Sequence, residues 1–162
     1  MPRDKLNTIA DGIFFSLLNY CVEVFGNVWG LQILVNKVLR SLTGLDRDTP
    51  VSVLASTSGK LSVQQRTALF TLNTVHRAVQ SHEPAYSFSI FKTEDDQAEI
   101  PHHQQNCNNV NYKLSISRGG YYYRGSRLYN LIPASLCQIR NQSLFKKGAK
   151  QWVTANIPLL PP

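Results

Sequence analysis

The spacing of apolar residues between positions 31 and 42 constrains the fold of this chain more than any other feature. Apolar side chains recur there at steps of three and four residues, which places them along one face of an α-helix. Gly44 follows, where a left-handed C-terminal cap would end the helix. The pattern predicts an amphipathic helix with Lys37 and Arg40 on its outer face. The apolar positions are Leu31, Leu34, Val35, Val38, Leu39 and Leu42.

A similar helical spacing begins near the N-terminus and runs from residue 6 to residue 24. Phe15 and Tyr20 add apolar side chains outside the main stripe, so the segment is apolar nearly all round. A helix of that kind is typical of a core, and we expect it to be central. Its stripe consists of Leu6, Ile9, Ile13, Phe14, Leu17, Leu18, Cys21 and Val22.

Two more helices are predicted before residue 82. Thr49 stands before Pro50, the order of an N-cap followed by proline in the first turn of a short helix. A longer helix begins with Ser62-Val63-Gln64-Gln65, which is a capping-box pattern. We interpret His76 on its stripe as a packed core histidine, because no nucleophile or carboxylate lies at a useful spacing. The stripe consists of Leu69, Leu72, Val75, His76 and Val79.

A polar segment at 93–112 lacks periodicity, which indicates a flexible loop or linker. It divides the chain into a helical bundle at 1–92 and a C-terminal module at 113–162. The flanking segments 86–92 and 111–118 alternate apolar with polar residues and predict two short strands, pairing as an irregular hairpin. The fold class is therefore mainly α, a three-helix bundle followed by a small basic α module with a β hairpin.

The C-terminal module is predicted to end in helices. Pro133 can begin a short helix, and the segment 142–155 has the spacing of a longer one. On the longer helix Leu144, Phe145, Ala149, Trp152 and Val153 are expected to face inward, and Lys146, Lys147 and Lys150 outward.

Charge is distributed unevenly along the chain, whose formal net charge is +7. Residues 1–99 contain nine basic and all ten acidic residues, whereas residues 100–162 contain eight basic residues and no acidic one. A basic half that also contains seven aromatic residues suits a polyanionic partner such as RNA or DNA. Composition alone agrees equally well with basic residues that only keep an ordinary globular domain soluble.

The stretch "SRGGYYYRGSRLYN", at 117–130, is the candidate for recognition. Arginine binds phosphate bidentately, and an exposed tyrosine can stack on a base. In an extended segment Tyr121 and Tyr123 would share one face and Tyr122 would lie on the other, with one face buried. The candidate contacts are thus Tyr121 and Tyr123, or Tyr122 alone, with Arg118, Arg124 and Arg127. Gly119, Gly120 and Gly125 are expected to shape turns, and Tyr129 to be a packing residue.

Other kinds of site find little support in the sequence. Cys21, Cys107 and Cys137 are odd in number and never spaced as a C-x2-C pair, which favours a reduced intracellular compartment, cytoplasmic or nuclear. His102 and His103 with Cys107 lack a fourth metal ligand. No phosphate loop, dinucleotide fingerprint or nucleophile elbow is present. We expect no metal, no cofactor, no small-molecule substrate, no active site, no signal peptide and no membrane span.

Four blocks of the sequence, taken in order, resemble the C-terminal part of the reverse transcriptase of non-LTR (LINE-type) retrotransposons. The first two are "FFSLLNYCVEVFGNVWG" and "LQILVNKVLRSLTGLDRDTPVSVL", the second with Gln32, Asn36, Arg40 and Pro50 at the usual places. The third is "LSVQQRTALFTLNTVHRAVQSHEPAY", with Leu61, Arg66, Pro84 and Tyr86. The closing signature is "YRGSRLYNLIPASLCQIRNQSLFKKGAKQW", with Arg124, Gly125, Leu128, Tyr129, Asn130, Pro133, Phe145 and Lys146.

The resemblance implies a thumb-like bundle that contacts the backbone of a template–primer duplex. It also implies a chain without catalytic function, because the palm and its aromatic-x-Asp-Asp motif are absent and Asp95-Asp96 is not that motif. We therefore expect a polymerase fragment that binds RNA or DNA weakly and without sequence preference. The alternative is a transposon fossil or protein-interaction module, with self-association through apolar helix faces. The predicted nucleic-acid contacts are Lys37, Arg40, Arg118, Tyr121, Tyr123, Arg124, Arg127, Lys146, Lys147 and Lys150.

Overall fold

The fold of the protein is mainly α-helical, in a computed structural model that describes residues 3–20, 22, 29–81, 91–93, 110–112 and 121–157. This confirms the predicted fold class at the level of mainly α. The described helices are α1 (Arg3–Ile9), a π-helical segment (Ala10–Phe15), α2 (Ser16–Asn19), α3 (Trp29–Thr43), α4 (Val51–Ser58), α5 (Val63–Ser81), α6 (Tyr121–Tyr129), α7 (Ala134–Cys137) and α8 (Gln142–Asn156).

Two three-residue strands complete the described elements. Strand β1 (Phe91–Thr93) pairs antiparallel with β2 (Val110–Tyr112), and Lys92 lies opposite Asn111 in this register. Most of the predicted strand segments 86–92 and 111–118 lies outside the described residues.

The chain forms two compact units. One comprises 1–67 with 156–162, and the other comprises 68–155, so the division falls within α5. The sequence predicted its division at the polar segment 93–112, most of which lies outside the described residues. The predicted domain boundaries remain predictions.

The first unit has a core between the N-terminal helix, α3 and α4. Gly44 has a φ of 68° and donates its N–H to the Arg40 carbonyl at 2.8 Å, which confirms the predicted left-handed cap of α3. Leu34 is exposed, although its spacing predicted a place in the core. The buried core residues are Ala10, Phe15, Val35, Leu39, Leu42, Leu54 and Val63.

Helix α1, the π-helical segment and α2 together form the N-terminal helix. The prediction that this helix is central is wrong, because one side of it is exposed. Ile13 is 62% exposed, Leu17 is 71% exposed and Tyr20 is 78% exposed. A π-helical segment closes i→i+5 hydrogen bonds and turns less per residue than an α-helix. Buried positions there are five apart, at Ala10 and Phe15, so the stripe expected for an α-helix turns away from the core.

Helix α5 begins with the predicted capping box. Ser62 accepts a hydrogen bond from the Gln65 N–H at its Oγ, and Gln65 Oε1 accepts one from the Ser62 N–H, both at 3.1 Å. The N–H of Val63, which has no acceptor within the helix, donates to Gln32 Oε1 of α3 at 2.9 Å. These bonds satisfy the orphan donors that every helix start leaves.

Helix α4 begins one residue later than predicted. Pro50, not Thr49, is its N-cap, and no side chain caps this end. The Pro50 carbonyl accepts the N–H groups of Val53 at 3.1 Å and Leu54 at 3.2 Å. Because proline has no N–H of its own, this start leaves one donor fewer to satisfy.

The second unit packs α6, α7 and α8 around the C-terminal part of α5. The Gln80 side chain donates to the Cys137 carbonyl at 3.2 Å, and Gln142 donates to the Asn73 carbonyl at 3.3 Å. Its buried residues include Leu69, Leu72, Val75, His76, Ala78, Tyr129, Ile132, Cys137, Phe145, Ala149 and Val153.

Helix α8 occupies the residues that the sequence assigned to it. Asn141 caps its start by accepting the N–H groups of Ser143 at 2.9 Å and Leu144 at 3.1 Å. Gly148 lies close to α7, because a Cβ added there would meet Leu136 Cδ2 at 2.5 Å. Leu144 is 57% exposed, which corrects the prediction that it faces inward.

Candidate nucleic-acid interface

Three lysines on α8 form the clearest basic surface of the second unit. Lys146, Lys147 and Lys150 are all exposed, and we call them the lysine face. Successive residues of an α-helix are about 100° apart, so these three lie within one sector of the helix. Phe145, Ala149 and Val153 occupy the adjacent sector, centred about 110° from that of the lysines, and are fully buried. The lysine face is therefore fixed by the packing of the helix that carries it, as the sequence predicted.

The lysine face has a spacing that suits a linear polyanion. Lys146 and Lys150 are four residues apart, which corresponds to about 6 Å along the axis of α8. Thr154 lies one turn further on and is also exposed. Its hydroxyl donates a hydrogen bond to the Lys150 carbonyl at 2.8 Å. Among the described residues of 68–155 there is no carboxylate, so no ion pair with a described group of this unit neutralises the lysines.

The three consecutive tyrosines belong to a helix and not to an extended segment. Tyr121, Tyr122 and Tyr123 form the first turn of α6, so the predicted alternation of faces is wrong. Consecutive residues of a helix differ in direction by about 100°, and no two of these tyrosines can share a face as alternate strand residues do. Which of them contacts a base stays a prediction, since their side chains lie outside the described part.

Helix α6 also changes the role expected for Gly125. This glycine is buried inside α6, so it does not shape a turn. Arg127 is exposed and Arg124 is half-buried on the same helix. Gly119, Gly120 and Arg118 lie outside the described residues. Of the predicted contacts in this stretch whose side chains are described, Arg127 is the more accessible.

Arg140 is an exposed cation that the sequence counted but did not assign to the interface. It follows Ile139 and precedes Asn141, the cap of α8, so it lies beside the helix start. A helix N-terminus carries a partial positive charge, to which the arginine adds a full one. The helix spacing that identified the lysines gave no signal for Arg140, because it lies outside the helix.

The two candidates of the first unit differ in accessibility. Lys37 is exposed on α3, as predicted. Arg40 is half-buried, and its Nη2 donates to the Thr49 carbonyl at 3.4 Å. This contact corrects the expectation that Arg40 lies on the outer face of α3, since its side chain packs against the segment before α4.

A second arginine of the first unit, Arg66, is 9% exposed and therefore largely buried. Arg66 on α5 donates from Nε to the Leu61 carbonyl at 3.1 Å and from Nη1 to Asn19 Oδ1 at 3.0 Å. Its guanidinium lies 4.3 Å from the centre of the Phe15 ring. Burial lowers the pKa of Arg66, and the field of Asp11 opposes that shift. Arg66 stabilises the fold and is not available to a partner.

His76 lies in the core of the second unit, as the sequence predicted. Its side chain has no exposed surface. Nε2 lies 2.8 Å from the Ile139 carbonyl, and Nδ1 lies 3.0 Å from the hydroxyl of Tyr129. The imidazole stacks on the ring of Phe145, with centroids 3.6 Å apart and planes 2° from parallel. The predicted packing role of Tyr129 is confirmed with it, because that side chain is also fully buried.

The part of the chain that the structure describes has neither a cluster of metal-binding side chains nor a helix that could span a membrane. No group of three or more histidine, cysteine or acidic side chains is placed there to hold a metal ion. None of the described helices is both long and apolar enough to cross a membrane. His102, His103 and Cys107, which were weighed as metal ligands, lie outside the described residues.

Comparisons with known proteins return no relative of this chain. No family, no curated protein and no solved structure matches it.

Proposed function

We propose that this protein binds RNA or DNA through phosphate groups, without sequence preference, by the lysine face of α8. The observation that carries the proposal is the exposure of three lysines in one sector of a helix whose adjacent sector is buried. Arg127 and Arg140, both exposed in the same unit, are further candidate contacts. Phosphate contacts position a nucleic acid but carry no sequence information.

The chemistry of the lysine face suits this partner better than it suits a small anion. Lysine presents a compact ammonium on a flexible stem, which contacts one phosphate oxygen at a time. Three such groups spread over more than one helical turn match a chain of phosphates. Binding of this kind depends strongly on salt, because each contact releases counterions from the nucleic acid.

We also propose that the chain corresponds to the thumb and downstream region of a non-LTR retrotransposon reverse transcriptase. The four sequence blocks named above support this relationship. These residues contain no aromatic-x-Asp-Asp motif, so we expect the chain by itself to bind the RNA or DNA backbone without extending a primer. Primer extension on an RNA template tests the point, with a complete reverse transcriptase as positive control. Incorporation of nucleotides by this chain would overturn the proposal.

The lysine face is tested by fluorescence anisotropy with a labelled RNA hairpin. The triple variant Lys146→Gln, Lys147→Gln, Lys150→Gln keeps long polar side chains and removes three charges. Measured between about 50 mM and about 200 mM salt, the logarithmic salt slope of binding should fall by about 3 in the variant. Circular dichroism checks that the variant retains its helices.

A charge-matched control uses Lys5, Arg47 and Arg77, which are exposed and are not among the predicted contacts. Their triple change to glutamine removes the same charge. The proposal predicts that this control binds nearly as tightly as the unchanged protein. Equal losses in both variants would show that general charge, and not the lysine face, drives binding. Absence of binding at low salt would contradict the proposed function itself.

A second candidate function is self-association through the exposed apolar side of the N-terminal helix. Ile13, Leu17 and Tyr20 are each more than half exposed there, which is unusual for large apolar side chains. A transposon fossil with no evolved role in nucleic-acid binding would still show this behaviour. Size-exclusion chromatography with light scattering should then show oligomers that Leu17→Glu disperses. A monomer at high concentration would count against this candidate.

A further inference from the structure

His76 is a titratable group enclosed by the same elements that carry the basic residues of the second unit. It hydrogen bonds Tyr129 of α6 and the Ile139 carbonyl, and it stacks on Phe145 of α8. We call these interactions the His76 contact. Each partner lies close in sequence to a basic residue: Tyr129 to Arg127, Ile139 to Arg140, and Phe145 to Lys146.

The hydrogen bonds fix the tautomer of the imidazole. A carbonyl oxygen only accepts hydrogen bonds, so Nε2 of His76 must carry the proton that it donates to Ile139. In the neutral ring Nδ1 is then a bare acceptor, and it receives the hydroxyl proton of Tyr129. Both ring nitrogens are therefore used in the neutral state.

Protonation would change this arrangement at a single atom. The second proton would appear on Nδ1, which points at the Tyr129 hydroxyl, and that hydroxyl would have to accept instead of donate. A positive charge would also be placed in a site without exposed surface. Such a charge is costly unless an opposite charge or several acceptors compensate it.

Among the described residues, the groups around His76 offer no such compensation. Tyr129 and Cys137 are the titratable residues of α6 and α7 in this core, and Phe145 of α8 is apolar. Every charged side chain described in the unit is basic. Those side chains are Arg77 on the same helix, Arg124, Arg127, Arg140, Lys146, Lys147 and Lys150.

We propose that the His76 contact makes the nucleic-acid surface acid-sensitive: protonating His76 releases α6 and α8 from α5 and thereby weakens binding of RNA. This inference rests on the proposed function, because it assigns regulation to the same lysine face. Most polyanion-binding surfaces gain positive charge as the pH falls and bind more tightly. The proposed contact has the opposite effect, and this difference in sign makes it testable.

Burial of His76 also favours the neutral imidazole over the charged one. It lowers the pKa of His76 from its usual 6.5, and the Ile139 carbonyl opposes only part of that shift. Well above pH 6.5 the residue is neutral in both the folded and the unfolded chain, so its packing stabilises the fold in full. As the pH falls below 6.5 the unfolded chain takes up the proton first, and stability is lost until the pKa of the folded state is passed.

The first experiment compares urea unfolding of the whole chain with that of His76→Gln. Glutamine can still donate to Ile139 but does not titrate, and His82, His102 and His103 are present in both proteins. In the unchanged chain the folding equilibrium constant should fall about tenfold per pH unit between 6.5 and the folded pKa. His76→Gln should lack that fall. Parallel pH profiles would overturn the proposal.

A direct measurement covers the case in which His76→Gln fails to fold. Nitrogen NMR of the unchanged protein reports the protonation state of each histidine ring. His76 should show the Nε2–H tautomer and take up its second proton at a lower pH than an exposed histidine does. Titration of His76 at or above its usual 6.5 would refute the proposal.

The binding experiment uses the labelled RNA hairpin at about pH 7.5 and about pH 5.5. The unchanged chain should lose affinity on acidification, whereas His76→Gln should hold or gain affinity. Equal gains in both proteins would overturn the acid-sensitive contact but leave the proposed function intact. Absence of binding by either protein at the higher pH would overturn the proposed function, and the unfolding comparison would still decide whether the contact is acid-sensitive.

Discussion

Helix α5 buries a basic side chain in each of the two units, and the two surroundings have opposite electrostatic character. Arg66 in the first unit has two oxygen acceptors, the face of Phe15 and the field of Asp11. His76 in the second unit has one carbonyl, one hydroxyl and a stacked ring, without a carboxylate among the described residues.

The difference shows what a core must supply before it can hold a charge. An arginine cannot lose its proton near neutral pH, so its site must provide acceptors and negative potential. A histidine can become neutral, and its site then needs only one donor and one acceptor. The first surroundings tolerate a permanent charge, whereas the second tolerate only the neutral state. Three substitutions test this comparison.

The largest effect is expected for Phe145→Ala, which removes the ring stacked on His76 and leaves a cavity. Fully buried phenylalanines cost about 3 to 5 kcal/mol of unfolding free energy when they are cut to alanine. Urea unfolding at neutral pH measures the loss. Leu144→Ala is the matched control. Leu144 is the neighbour of Phe145 and its side chain is mainly exposed, so its truncation should lower the unfolding free energy by less than about 0.5 kcal/mol. Equal losses in the two variants would contradict the core position of Phe145.

A smaller effect is expected for Arg66→Met, which keeps the length of the side chain but removes its donors. The Leu61 carbonyl and the Asn19 side chain would lose their partner, at a cost of about 2 kcal/mol in unfolding free energy. Arg77→Met, an exposed change on the same helix, serves as the control. A variant as stable as the unchanged protein would show that Arg66 is dispensable to the first unit.

The smallest effect is expected for Asp11→Asn. Asp11 forms an ion pair with Lys60 at 2.6 Å, but the carboxylate side chain is 52% exposed, so the pair should contribute no more than about 1 kcal/mol. Thermal unfolding at low and high salt should show the loss shrinking with salt, because exposed charges are screened. Asp46→Asn, at an exposed carboxylate of the same unit, is the control. A loss that salt leaves unchanged would indicate that Asp11 acts mainly on the buried Arg66.

Much of the helical framework could be predicted from local sequence. The capping box at Ser62 and the cap at Gly44 depend on residues three or four positions apart, so the pattern that encodes them is short. Burial of His76 followed from its place on an apolar stripe. The lysine face of α8 followed in the same way, because residues of a helix that face away from a buried stripe face solvent.

The wrong predictions have two physical causes. Tyrosines and glycines have low helix propensity, so the stretch around Tyr122 and Gly125 favoured an extended or turning chain. Burial of Tyr129, Gly125 and Ser126 in the second unit accompanies a helix there instead. The π-helical segment escaped detection because a pattern of apolar spacing assumes the α-helical period.

The sequence by itself determined that the chain is mainly helical, and which side of α8 faces solvent. Both follow from periodicity and charge, which act over a few neighbouring residues. Only the tertiary structure decided that His76 meets Tyr129, Ile139 and Phe145, which are more than fifty positions away. It likewise decided that Arg66 lies on Phe15. Contacts between distant residues depend on how helices pack, and a local pattern contains no information about that packing.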